Sequence, residues 1–83
     1  MELEEIANRI WTKCDFFDNV FVENGKIICE ESFDNYDCKN DDDCCDTARE
    51  NGEYITNSFP MLEIYNYYCH RHKYAIVELK FKQ

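Results

Sequence analysis

FFDNVFVENGKIICEE, residues 16–31, sets Asn24-Gly25 between two runs rich in Val, Ile and Phe. That dipeptide is the preferred pair for a two-residue type I′ turn, because both central positions need a positive φ, and the flanking residue types suit a pleated, half-buried surface. The turn fixes the register of a β-hairpin: Glu23 opposite Lys26, Val22 opposite Ile27, Phe21 opposite Ile28 and Val20 opposite Cys29. Side chains alternate along each strand, so Val20, Val22, Ile27 and Cys29 fall on one face and Phe21 and Ile28 on the other. Both faces carry apolar groups, and both are expected to be at least partly covered.

Upstream, residues 2–14 read as a helix, since Leu3, Ile6, Ile10 and Cys14 recur at steps of three and four while Glu4, Glu5, Arg9 and Lys13 fall elsewhere. Acids crowd its first turn, where the helix dipole favours them, and the apolar stripe with Trp11 beside it is assigned to the core. Downstream, DDDCCDTARENG (41–52) suggests a short helix stopped by Asn51-Gly52, and EYIT (53–56) a short strand. Ser58 and Pro60 mark the start of a second long helix through FPMLEIYNYYCHRH (59–72), with Leu62, Ile64, Tyr65, Tyr68 and Cys69 on a broad apolar arc. KYAIVELKFK (73–82) alternates as a strand, Ala75, Val77, Leu79 and Phe81 facing one way and Glu78 and Lys80 the other. The order helix, β-hairpin, acidic insertion, helix, strand predicts an α+β fold in one domain, residues 1–83, with an antiparallel sheet packed by helices.

The chain of 83 residues is 45% hydrophobic and 16% aromatic, far too apolar for a disordered segment despite its charge of −9. A core of this size leaves little stability to spare, so a staple would help. The start at Glu2, Glu4 and Glu5 lacks the basic and apolar regions of a signal peptide, and no apolar run approaches the ~20 residues that span a bilayer. A cytoplasmic protein without membrane contact is expected. In that reducing compartment Cys14, Cys29, Cys38, Cys44, Cys45 and Cys69 point to metal ligation or buried thiols ahead of disulfides.

Structural zinc takes four thiolate or imidazole ligands, often as two nearby pairs. Cys38 with Cys44 or Cys45 supplies one pair. Cys69 and His72, spaced i, i+3 on the end of the expected second helix, supply the other. The predicted ligand set is Cys38, Cys44, Cys69 and His72, with His70, Cys45 and Cys29 as possible replacements and Cys14 as a core residue. An EF-hand calcium loop from Asp42 is disfavoured by Cys44 at its third position and Thr47 where glycine belongs. No spacing sets a thiolate at a helix N-terminus beside a base, and Gly25 and Gly52 have turn or cap roles rather than a place in a phosphate loop, so catalysis is not expected.

The segment of about 30–53 holds ten carboxylates against Lys39 and Arg49, and so carries eight of the nine net negative charges. Such a surface repels nucleic acid and attracts proteins with basic grooves, of the kind that handle DNA or RNA. Asp34, Asp37, Asp41, Asp42, Asp43, Asp46, Glu50 and Glu53 form the expected contact surface, with Phe33, Tyr36 and Tyr54 as apolar anchors.

In size, acidity and lack of enzyme signatures the chain resembles the small phage-encoded anti-CRISPR proteins that act on Cas9-type effectors. The resemblance implies a monomeric inhibitor that occupies the region of the effector receiving guide or target DNA, with zinc ordering the fold. The same features fit a cytosolic zinc-stabilised interaction module with an unrelated partner. A secreted disulfide-linked inhibitor is the third reading, disfavoured by the missing signal sequence.

Overall fold

The computed structural model describes residues 2–32, 41–70 and 73–82, and only the backbone of 41–44. In chain order the elements are α1 (Leu3–Lys13), β1 (Asn19–Glu23), β2 (Lys26–Ser32), α2 (Asp41–Ser58), β3 (Leu62–His70) and β4 (Tyr74–Phe81). Asn24 and Gly25 have φ of 53° and 76°, as a type I′ turn requires, and β1 pairs with β2 in the register that this turn dictates.

All pairings are antiparallel, and the strand order is β1-β2-β4-β3. Helix α1 lies over β1 and β2, while α2 lies over β3 and β4. The chain is therefore an α-β-β unit built twice, the two units joined where β2 pairs with β4. Ile27 faces Leu79 and Cys29 faces Val77 across that seam. These four residues, with Ile6, Ile10, Cys14, Phe17, Ile55 and Leu62, make up most of the core under the helices.

Two expectations are corrected by this order. Residues 59–72 are not a second long helix: Leu62–His70 form strand β3, with a β-bulge between Ile64 and Asn66. One extra residue at Tyr65 breaks strict alternation: Leu62, Ile64, Tyr67 and Cys69 fall on the helix-covered face and Tyr68 on the other, so the expected apolar arc of Leu62, Ile64, Tyr65, Tyr68 and Cys69 drew on both faces of a strand. Tyr and Ile suit strands better than helices, and the composition of this segment was the truer signal.

The second correction is α2. Helix runs unbroken from Asp41 to Ser58, through the expected stop at Gly52 and the expected strand at 53–56. Ala48, Gly52 and Ile55 are buried, and Phe59 follows them with its amide bonded to the Ile55 carbonyl at 2.7 Å. Pro60 then ends the helix. A continuous helix also leaves no calcium loop at Asp42. Trp11, assigned to the core from its position beside the α1 stripe, is half exposed.

Gly52 is a contact rather than a cap. A Cβ at this position would lie 2.8 Å from Ile64 Cδ1 and 2.9 Å from Val77 Cγ2, so the missing side chain lets α2 sit down on β3 and β4. Alanine normally gains about 1 kcal/mol over glycine inside a helix. Here the overlap reverses the sign, and we expect Gly52→Ala to lower unfolding free energy by about 1–2 kcal/mol in urea titrations. Ile64→Val, which removes the Cδ1 atom, should recover part of the loss in the double variant; stabilisation by Gly52→Ala alone would refute the close approach.

Candidate protein-interaction surfaces

Of the expected zinc ligands, Cys69 is described in full, and it stands on strand β3 rather than on a helix. The i, i+3 argument for pairing it with His72 rests on a helix over 59–72 and lapses with that helix. Cys38 and His72 lie outside the described residues, and Cys44 is described only as backbone in α2. Among the described residues no group of three or more metal-ligating side chains converges. Cys14 and Cys29 are core residues, as expected from their apolar stripes. Burial pushes both thiols up, with the neighbouring charges minor contributors.

Of the expected acidic contacts, Asp34 and Asp37 lie outside the described residues, as do the anchors Phe33 and Tyr36, and Asp41, Asp42 and Asp43 are described only as the backbone that opens α2. Asp46, Glu50 and Glu53 project from the exposed side of that helix. Arg49 stands among them, 3.8 Å from Asp46 and 3.5 Å from Glu53, at the i, i+3 and i, i+4 spacings of surface pairs worth a few tenths of a kcal/mol. Tyr54, on the same helix, is 47% exposed and meets Phe16 edge-on at 6.3 Å. Phe16 is 39% exposed and rests in turn on the core ring of Phe17, 4.5 Å away. The result is an acidic ridge with an aromatic pair beside it, held from below by the core.

A second surface was not anticipated. Helices α1 and α2 cover one face of the sheet; among the described residues no element crosses the other. The register orders that open face in rows. Glu23 stands opposite Lys26 and Glu63 opposite Lys80, so the first row balances its charges. The two lysines lie over the ring of Tyr65, at 4.5 and 5.5 Å. In the next row Phe21, Ile28, Glu78 and Asn66 follow one another across the four strands, and in the one after it Asn19, Glu30, Ile76 and Tyr68. A cleft of about 260 Å³ opens here, floored by Ile28 and lined by Phe21, Tyr68, Glu30 and Glu78, with Glu23, Asn24 and Lys26 at the end nearest the turn.

Burial, then the hydrogen bond to Glu78, then the charges of Glu78, Glu30 and Glu23, hold the Tyr68 phenol protonated up to about 12. Asn19 donates to Glu30 Oε1 at 3.0 Å. Among the described residues no cation lies within ion-pair distance of Glu30 or Glu78. The expected alternation of β1 and β2 already put Phe21 and Ile28 together on this face; finding Tyr68 and Glu78 beside them needed β3 as a strand and β4 between it and β2.

No family model, no curated protein and no solved structure matches the chain. No helix among the described residues is long and apolar enough to cross a membrane.

The electrostatics of the cleft can be checked by alkaline titration of phenolate absorbance. One tyrosine should ionise well after the ordinary phenol value of ~10. Because the fold favours the neutral phenol, its share of stability is intact below the unfolded value and is lost as pH rises from there toward 12. Glu78→Gln should bring the late tyrosine down; an unchanged late step would place its cause elsewhere.

Proposed function

We propose that the protein is a non-enzymatic inhibitor or binding protein that sets the acidic ridge of α2 against a basic nucleic-acid-binding surface on a protein partner. The observation that carries this reading is the exposed Tyr54–Phe16 pair standing beside Asp46, Glu50 and Glu53. Carboxylates alone speed encounter and select for a basic partner, while exposed aromatics supported by a core supply the anchoring contacts that charge lacks. Asp41, Asp42 and Asp43 belong to the first turn of α2, and Asp34 and Asp37 precede it in the chain. A Cas9-type effector is the partner class that the resemblance implies, with guide or target DNA engagement as the step blocked.

The test is a titration of a guide-loaded Cas9-type effector with the full chain, followed by size-exclusion chromatography and target cleavage. A complex that weakens with added salt, and cleavage that falls as the complex forms, are expected. Tyr54→Ala should cost about 1–2 kcal/mol of binding, and the triple variant Asp46→Asn, Glu50→Gln, Glu53→Gln should mainly slow association. Absence of any complex would favour the interaction module with an unrelated partner.

A structural zinc belongs to the same proposal. The turn through Pro60 reverses the chain, so α2 and β3 run in opposite directions with Gly52 against Ile64. About 12 Å of helix separates Gly52 from Cys44. Roughly 15 Å of strand separates Ile64 from Cys69. This antiparallel run of α2 and β3 supports a pairing of Cys44 or Cys45 with Cys69, and the residue types of Cys38, Cys44, Cys69 and His72 suit zinc. Mass spectrometry of untagged protein should find about one zinc per chain. Cys44→Ser and Cys69→Ser should lose it and melt earlier, whereas Cys14→Ser should keep it; equal metal content in all three would remove zinc from the proposal.

A further inference from the structure

We propose that the open face of the sheet is a second docking surface, separate from the α2 ridge, and that it receives an arginine-bearing segment of a protein partner. Among the described residues no helix lies over this face, and its floor is apolar: Ile28 and Ile76 are only 8% and 5% exposed, yet neither belongs to the core cluster under the helices. Above this floor stand Phe21 and Tyr68, two aromatic side chains that line the cleft.

Charge decides the occupant. Lys26, which lines the cleft, and Lys80 each lie over Tyr65 and each stand opposite a glutamate in the pairing register, without an ion pair to it among the described residues. Glu30 and Glu78 sit on the two central strands and have neutral partners, Asn19 for one and Tyr68 for the other. With an apolar floor, aromatic walls and Glu23, Glu30 and Glu78 against Lys26 alone among the described lining residues, the cleft keeps an excess of carboxylate that is complementary to a guanidinium. Its planar surface stacks on aromatic rings, its fork of donors matches a carboxylate, and it sheds water more readily than an ammonium does.

The same charges disfavour the other occupants. A strand of RNA or DNA laid over the aromatics would bring its phosphates against Glu23, Glu30, Glu63 and Glu78. A second copy stacked face to face would oppose Glu30 and Glu78 to another such pair. Glu78 and Tyr68 therefore act as the selecting residues of this surface, with Ile28 and Phe21 supplying the apolar contact.

The probe is a blocked pentapeptide, acetyl-Ala-Arg-Ala-Arg-Ala-amide, compared with its citrulline counterpart, which keeps the shape and removes the charge. Amide chemical shifts of the full-length protein would be followed during titration. Saturable shifts at Ile28, Glu30, Tyr68 and Glu78 with the arginine peptide, in the low-millimolar range expected of a short flexible ligand, are the supporting result. The variant Glu30→Gln, Glu78→Gln should weaken them roughly tenfold, as expected for losing charge-assisted bonds. The α2 triple variant should leave them unchanged, so failure here and failure of the ridge are read apart. The proposal is overturned by equal shifts with the citrulline peptide, by shifts confined to α2, by no saturable shift at all, or by shifts at the same residues on protein dilution alone, which would assign the face to a second copy.

Discussion

Two helix-hairpin units meet along one ladder, β2 against β4, and almost everything else in the molecule depends on that pairing. A hairpin alone is marginal in water, and a helix-hairpin unit as short as residues 3–32 falls below the ~40 residues at which a core usually sustains itself. Joined at Ile27–Leu79 and Cys29–Val77, the two hairpins become one four-stranded sheet, and the residues of both inner faces enter a common core with Ile6, Ile10 and Ile55. The helices then need little contact with each other, because each has its own hairpin to cover. One polar tie crosses the seam as well: Asn51 on α2 donates to Glu31 on β2 at 2.8 Å. The same pairing creates the open face, since its rows run unbroken from β1 to β3 only when β2 and β4 are neighbours.

Where local chemistry dictated conformation, the sequence was legible. Asn24-Gly25 fixed a turn, the turn fixed a register, and the alternation of β4 followed from its own residues. Where tertiary contact decided, it was not. Gly52 looks like a helix stop to any reading of neighbours, and only the positions of Ile64 and Val77 reveal why glycine stands in mid-helix. The bulge at Tyr65 is a similar case: it shifts alternation by one residue, so the period of two that marks a strand is lost from the sequence of β3. Of the interaction surfaces, the acidity of α2 was plain from composition, whereas the cleft depends on side chains from β1, β2, β3 and β4 that only the non-local strand order brings together.

The hydrogen bonds around Asp18 fasten the loop before β1, which Phe17 also anchors in the core. The Asp18 carboxylate accepts from both the amide and the hydroxyl of Ser32, at 2.6 and 2.7 Å, which holds the acid below its ordinary range. The Asp18 amide in turn donates to the Glu30 carbonyl at 2.8 Å. This fastening sits at the end of β1 remote from the turn and leads directly from Phe16 and Phe17. The exposed ring of the acidic ridge and the first strand of the open face are thus positioned by one short segment, residues 14–19, so both surfaces share a rigid support.

Their shared support does not make them one electrostatic surface. The molecule measures 38 × 23 × 22 Å, and the ridge and the cleft lie on opposite sides of the sheet. At physiological ionic strength charges are screened over about 8 Å, so a group approaching the cleft is governed by Glu30, Glu78 and the two lysines rather than by the net charge of −9. At low salt the whole-molecule field dominates and draws any basic protein to either side. Selectivity must therefore come from the uncharged part of each surface, the Tyr54–Phe16 pair on one side and the Ile28 floor with Phe21 and Tyr68 on the other. Carboxylates bring a cationic partner near; the aromatic groups beside them determine which cationic groups find a fit.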